Sequence, residues 1–108
     1  MKPFFVRKNM SNGSIITIDN TNSQAITVSG ALNGNQGDQG TIKISPYNSQ
    51  MTEQKDRPKP IEIELTIDSG TSQNIDVDSF ICFLEKIEIS VTCSQTASVN
   101  LCLNGGNL

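Results

Sequence analysis

The feature that most constrains this chain is a strict alternation of apolar and polar residues near its centre. The apolar positions are Ile61, Ile63, Leu65 and Ile67, and the polar ones are Glu62, Glu64, Thr66 and Asp68. A period of two places successive side chains on opposite faces of a β-strand, so one face is predicted to be buried and the other solvated. A slip of one residue would bury two glutamates, which fixes the register of this strand.

Strands of this kind are predicted along most of the chain. Isoleucine, threonine and valine supply 27 of the 108 residues, and these β-branched side chains favour pleated sheets over helices. No segment has helical periodicity. The predicted strands are 14–19, 24–32, 41–45, 60–68, 74–78, 86–93 and 98–103, with 80–84 as either a short strand or a buried connector. Short strands separated by frequent turns predict an all-β fold, a single-domain jelly roll or β-sandwich of seven or eight antiparallel strands with an extended N-terminal arm.

Charge divides the chain unequally. The formal net charge is -3, yet residues 1–12 carry three cations and no acid, which leaves -6 on the remainder. The sequence predicts a connector-like arm at 1–12, a jelly-roll body at 13–104 and a flexible tail at 105–108. Phe4, Phe5 and Val6 form the apolar centre of the arm. The arm is either a frayed terminus or a segment that docks on an acidic neighbour, in this domain or in another subunit.

The composition excludes several kinds of chemistry. The chain has no histidine, which excludes imidazole-activated nucleophiles and histidine-containing metal sites. It has no tryptophan and one tyrosine, so an aromatic platform for sugars or single-stranded nucleic acid is not expected. A net-acidic chain is not expected to bind nucleic acid or an anionic membrane. No apolar run reaches the length of a membrane span or a secretory signal, and no cofactor is expected.

Carboxylates are one remaining group of chemical candidates. Glu62 with Glu64, and Asp76 with Asp78, each share a predicted strand face, and Asp68 is near them in the sequence. Paired acids act in glycosidases or hold calcium. Solvated outer strand faces are the simpler interpretation, since the rest of such a site is missing. The sequence therefore predicts that the protein is not an enzyme.

The three cysteines are the other group. Their spacing fits no zinc pattern, so no metal site is predicted. Alternation places Cys93 on the inward face of its strand, as a small core residue. Cys102 lies on the opposite face from Leu101 and Leu103, where it is either idle or able to bond another chain. Cys82 lies in an apolar run, and an internal Cys82–Cys93 or Cys93–Cys102 bridge across neighbouring strands stays open.

The second half of the chain resembles a segment of the endospore appendage (Ena) subunits of Bacillus and its relatives. There, a strand leads through a Gly-Ser/Thr-Ser turn into a short alternating strand that ends near an aromatic residue, as residues 67–80 do here. Both continue with a strand like 84–91, a small polar turn, and a last strand that contains a cysteine, here 99–103. The likeness covers 61–103 and extends loosely back to Ile15.

The resemblance implies an eight-stranded jelly roll that polymerises into spore-surface fibres, made in the mother cell without a signal peptide. In that family, subunits join by sheet augmentation, and cysteines of an N-terminal connector bond to cysteines on preceding subunits. Cys102 is at the matching position on the last strand. The arm here has no cysteine. It either docks noncovalently through Phe4, Phe5 and Val6, or this subunit only accepts a partner's connector, as an anchor or minor component.

We therefore predict a structural, self-assembling subunit of a spore-surface fibre or an exosporium-associated assembly. Its partners would be further copies of itself or other spore-surface subunits. The alternative is a jelly-roll binding module, for a glycan or a receptor, of a phage or cell-surface protein. The polar loop at 48–59 would then be the contact.

Overall fold

The computed structural model describes residues 4–20 and 24–107, and these form nine strands and one short 3-10 turn at Gln54–Asp56. The strands are β1 (Phe4–Met10), β2 (Ile15–Asp19), β3 (Gln24–Asn33), β4 (Gln39–Tyr47), β5 (Ile61–Thr66), β6 (Ser72–Asn74), β7 (Asp78–Cys82), β8 (Lys86–Cys93) and β9 (Ser98–Asn107). The predicted all-β class is confirmed.

The strands form two antiparallel sheets packed face to face. The first sheet has the order β1-β9-β3, and both β6 and β7 pair with the other side of β3. The second sheet has the order β2-β8-β4-β5. The first strand thus pairs with the last, the second with the next to last, and the middle strands with each other, which is the connectivity of a jelly roll. Because β6 and β7 follow one another along β3, nine strands occupy eight positions.

The core lies between the two sheets. Alternate residues of the central strands point into it, as the period-two pattern predicts. The largest fully buried side chains are Met10, Ile26, Leu32, Ile42, Ile44, Ile67, Ile87, Ile89, Leu101 and Leu103. Burying one such side chain contributes roughly 1.5–3 kcal/mol to stability. The core therefore stabilises the two packed sheets and, with them, the positions of their edge strands.

The predicted strand at 74–78 is wrong. β6 ends at Asn74, the chain leaves the sheet, and β7 begins at Asp78. Ile75 is buried, but Val77 is 70% exposed, so the two do not share a face. The break lies opposite Gly30 of β3, which has a φ of 132°, in a region that favours glycine. β3 is distorted there, and the ladder is divided between β6 and β7.

Both chain ends are strands of the first sheet, so the arm pairs within its own domain, one of the alternatives that the sequence leaves open. Residues 4–10 of the predicted arm are strand β1, which pairs with β9 from Phe4 opposite Gly105 to Met10 opposite Val99. The predicted flexible tail is instead strand as far as Asn107, because residues 105–107 of β9 pair with residues 24–26 of β3. Gly105 leaves room for the Phe4 ring, since a Cβ there would lie 2.2 Å from Cε1 of that ring. Residues 1–3 of the arm and 108 of the tail are outside the described ranges.

Candidate functional site

The jelly roll leaves two lateral sides at which strand edges are open. On one side the sheets end in β1 and β2, and on the other they end in β6–β7 and β5. An edge strand presents backbone N–H and C=O groups that can pair with another chain. The two sides are therefore the candidate surfaces for assembly.

The first side carries a basic edge, formed by β1 with Arg7 and Lys8. Both side chains are exposed, and β1 contains no acid. In the part of the chain that the structure describes, neither side chain takes part in an ion pair. Lys8 lies opposite Leu101 of β9, on the core-facing side of the sheet, and yet reaches solvent because β1 is the edge strand.

The structure divides the predicted arm residues between two environments. Phe4 and Val6 are half-buried and pack against the core of their own domain. Phe5 points to the outer face and is 63% exposed. Of the three residues named from the sequence, only Phe5 is therefore fully available to another subunit.

The second side is a groove of about 590 Å³ between the open edges of the two sheets. We call it the acidic groove, because its lining includes five carboxylate side chains: Glu62, Glu64, Asp68, Asp76 and Asp78. The sequence pattern alone places these acids on two separate strand faces. The fold brings them to one side, because β5 and the β6–β7 segment end neighbouring sheets.

The carboxylates of the acidic groove are mostly unneutralised. Among the described residues only Glu62 has a basic partner, with Lys43 Nζ at 3.7 Å on the neighbouring strand β4. Within residues 4–20 and 24–107, no group of three or more His, Cys, Asp or Glu side chains is placed to hold a metal ion. The groove is thus a surface of negative charge rather than a built cation site.

All three cysteines are free thiols. Cys82 and Cys93 are buried, and their strands β7 and β8 belong to different sheets, so they are not neighbours across a ladder. The same holds for Cys93 and Cys102. Neither of the two internal bridges that the sequence left open is formed.

Cys93 has the environment of a core thiol. Its Sγ donates a hydrogen bond to the Ala97 carbonyl at 3.4 Å. Burial raises the pKa of the Cys93 thiol, and the Asp38 carboxylate adds to this effect. A thiol that stays protonated and covered is a poor nucleophile, so the inward placement predicted for this residue makes it structural.

Cys102 lies on the outer face of the first sheet, half-buried, as the alternation predicts. Arg7 of β1 and Ser29 of β3 flank it in register. The three residues line a shallow hollow of about 360 Å³ that also includes Phe5. Of the three thiols, Cys102 is therefore the one that another chain can approach, and it lies beside the basic edge.

Sequence reasoning missed a buried polar pair at one end of the sandwich. Asn20 Nδ2 donates to the carbonyls of Leu84 at 2.8 Å and Cys82 at 3.3 Å. Gln24 Nε2 donates to Asn20 Oδ1 at 2.8 Å. This pair fastens the β7–β8 turn to β3. The period-two pattern could have identified Gln24 as buried, because it lies two residues before Ile26 and so on the same inward face of β3.

The loop at 48–59 is tied to the outer face of the second sheet. Arg57 Nη1 contacts Glu88 Oε2 at 3.2 Å, and its Nε donates to the Met51 carbonyl at 3.1 Å. The guanidinium also stacks 3.9 Å from the centre of the Tyr47 ring, a cation–π arrangement. The Arg57 guanidinium and the Tyr47 ring, the groups best suited to recognise a glycan or a receptor at this loop, are thus engaged within the domain.

Two further charged side chains, Lys86 and Glu85, are hydrogen-bonded near the second sheet. Lys86 of β8 donates to Asp19 of β2, and this hydrogen bond raises the pKa of Lys86. Hydrogen bonds from Ser49 lower the pKa of the Glu85 carboxyl. Both groups are at the surface, and both are engaged by neighbours in the same domain rather than directed into the acidic groove.

Comparison with known proteins does not assign the chain to a family. Neither the family models nor the curated proteins contain a match to it. The described residues include no helix that is long and apolar enough to cross a membrane.

Proposed function

We propose that this protein is a structural subunit that assembles with copies of itself through the open edges of its β-sandwich. One observation carries the proposal: the basic edge and the acidic groove lie on opposite lateral sides of the molecule. Opposite charges attract when two copies approach side by side, and exposed strand edges then supply hydrogen bonds between them.

The position of the two surfaces determines the kind of assembly. A contact between different surfaces of the same molecule is heterologous, so each copy that is added leaves a fresh surface for the next. Such a series gives a filament, or a ring if the rotation between copies happens to close. The resemblance to endospore appendage subunits supports the filament, and specifies a spore-surface fibre or an exosporium-associated layer as its setting.

Cys102 is the proposed covalent point of this assembly. Its thiol is accessible on the outer face beside the basic edge, and it can form a disulfide with a cysteine of another subunit's connector. Two thiols give up two electrons and two protons in that step, which an oxidant such as dioxygen accepts. In this disulfide Cys102 would be the thiol that receives the connector, a role that suits an anchor or minor component.

The test is the association state of the purified full-length chain. Sedimentation velocity and negative-stain electron microscopy over a range of protein and salt concentrations should reveal particles larger than the monomer. These should shrink as salt rises, because the Debye length falls from about 10 Å at 0.1 M to about 3 Å at 1 M. A protein that stays monomeric at every concentration and salt level contradicts the proposal. Point variants are preferable to removal of residues 1–12, since that removal would uncover β9.

A further inference from the structure

We infer that β1 of one copy pairs with β7 of the next in a single antiparallel register, which sets Lys8 against Asp78 and Phe5 against Ile81. This inference rests on the proposed function and names the strands and side chains that carry it. It extends the first sheet of one molecule into the first sheet of its neighbour.

The directions of the strands allow this pairing without turning either copy. In the first sheet β1 is antiparallel to β9, β9 to β3, and β3 to β7, so β7 runs opposite to β1. A second copy in the same orientation therefore brings its β1 antiparallel to the β7 of the first. Each copy adds four strand positions, about 19 Å of sheet, and the same contact can repeat without end.

Some backbone N–H and C=O groups of β7 point away from β3, toward the open edge where another strand could bond them. In an antiparallel ladder, residues alternate between bonding one neighbouring strand and the other. The Gly30 carbonyl accepts from the Ile75 N–H at 2.8 Å, so Gly30 bonds on the β6–β7 side, as does Val28 two residues earlier. Val28 is opposite Asp78, so the next residue, Ser79, directs its backbone to the open edge. Its N–H donates there to Asp78 Oδ1 at 2.8 Å.

The same alternation, followed across the sheet, gives the open groups of β1. Thr27 bonds on the β9 side of β3, opposite Asn104. Leu103, the next residue of β9, therefore bonds on the other side, opposite Val6 of β1. The residues on either side of Val6 then direct their N–H and C=O groups to solvent. The open positions of β1 are thus 5 and 7, and those of β7 are 79 and 81.

Side-chain chemistry selects one register among those that the alternation permits. With Lys8 opposite Asp78, a cation meets an anion on the core-facing side of the sheet. The same register sets Val6 opposite Phe80, and both are half-buried and packed on the core. A shift of two residues in one direction would set Lys8 against Phe80, and a shift in the other would set Val6 against Asp78. A shift of one would oppose inward and outward faces.

The outer face of the sheet agrees with this choice. Phe5 is 63% exposed and Ile81 is 56% exposed, and both point outward from an edge strand. The register that pairs Lys8 with Asp78 brings these two large apolar side chains opposite each other. Aromatic and β-branched side chains form favourable cross-strand pairs. The contact therefore covers apolar surface that an isolated copy leaves in water.

Asp78 also controls access to the edge. In the single chain its carboxylate accepts the Ser79 N–H at 2.8 Å and so occupies the first open amide of β7. When Lys8 of a neighbour draws this carboxylate away, the Ser79 amide becomes free to bond the incoming strand at Arg7. The ion pair and the backbone ladder then form together, which disfavours pairing with a strand that lacks a cation at this position.

The test uses two charge reversals, Lys8→Asp and Asp78→Lys. Each alone sets like charges against each other, and the concentration needed for assembly should rise about tenfold or more, a factor that corresponds to about 1.4 kcal/mol. Mixed in equal amounts, the two variants should assemble again, since the Asp at position 8 of one meets the Lys at position 78 of the other in alternation. The controls are Lys59→Asp and Asp56→Lys, equal charge changes at exposed positions of the β4–β5 loop, measured by sedimentation velocity after thermal denaturation has verified folding.

The outcomes separate this contact from the proposed function. Recovery in the mixture and not in either single variant supports the register. If both single variants assemble as well as the wild type does, the β1–β7 contact is wrong, but the proposed self-assembly is retained. If both variants fail and the mixture fails as well, the register is also wrong. A monomeric wild type overturns the proposed function, and this contact with it.

Discussion

Gly30 is the residue whose substitution tests the geometry of β3 most directly. Its φ is 132°, and a Cβ built there would lie 1.9 Å from the Asn100 carbonyl oxygen of β9. The obstacle is backbone in a central strand, so no side-chain rotation can relieve it. We expect Gly30→Ala to destabilise the fold and to disturb the break that separates β6 from β7.

The size of the effect has two parts. A non-glycine residue at such a φ costs roughly 1–2 kcal/mol. Forcing a methyl group into a filled site adds typically 1–3 kcal/mol. The sum, about 3 kcal/mol, is a large fraction of the roughly 5–15 kcal/mol that stabilises an ordinary domain. The melting temperature should fall by about 12–20 °C in a chain of this length.

Gly37→Ala is the matched control. Gly37 has a φ of 91°, but nothing lies within 4 Å of a Cβ there. It should show the conformational part alone, roughly 1–2 kcal/mol. Urea unfolding of both variants, followed by circular dichroism, gives the two free energies. If Gly30→Ala is no more destabilising than Gly37→Ala, the Asn100 carbonyl oxygen is not the obstacle that the geometry of β3 predicts.

Ser79→Pro removes an N–H that faces the open edge and a hydroxyl that bonds Thr27 Oγ1 at 3.1 Å, both at the surface. It should lower the unfolding free energy by no more than about 2 kcal/mol but should abolish assembly in sedimentation velocity. Assembly at the wild-type level would exclude β7 as a contact strand. In the folded protein, iodoacetamide should modify Cys102 well before Cys82 or Cys93, because only Cys102 is not buried. Peptide mass spectrometry gives the labelling rate of each thiol, and equal rates would contradict the burial of Cys82 and Cys93. The folded pKa of Cys93 is raised above the ordinary value of 9.0, so its contribution to stability is present in full below pH 9.0 and is lost as pH rises toward the folded pKa. Cys93→Ala should therefore show a shallower alkaline loss of unfolding free energy than the wild type in urea titrations, and identical slopes would contradict the assignment.

Local patterning predicted the strands best where one face is buried. The predicted 86–93 strand matches β8, and the central alternation matches β5, because a shift of either strand would place charged side chains in the core. Alternation also assigned Cys93 to the inside and Cys102 to the outside. It failed at 74–78, where Ile75 and Val77 keep the period of two although the chain has left the sheet.

That failure has a distant cause. The break between β6 and β7 lies opposite Gly30, more than 40 residues earlier in the chain, and the pattern within 74–78 contains no trace of it. The extension of β9 to Asn107 depends in the same way on residues 24–26 of β3, which lie far earlier in the chain. Neither effect can be derived from the local sequence, because each depends on which strands become neighbours.

By itself, the sequence determined the all-β class, the absence of imidazole chemistry, the alternation of faces and the contrast between a basic start and an acidic remainder. Only the tertiary structure decided that β1 joins the domain's own sheet and that five carboxylates gather on the opposite side. The physical reason is that alternation specifies which face of a strand is buried, but the hydrogen bonds of a ladder are the same for any partner. Sheet order, and with it the separation of the basic edge from the acidic groove, emerges when both sheets close on one core.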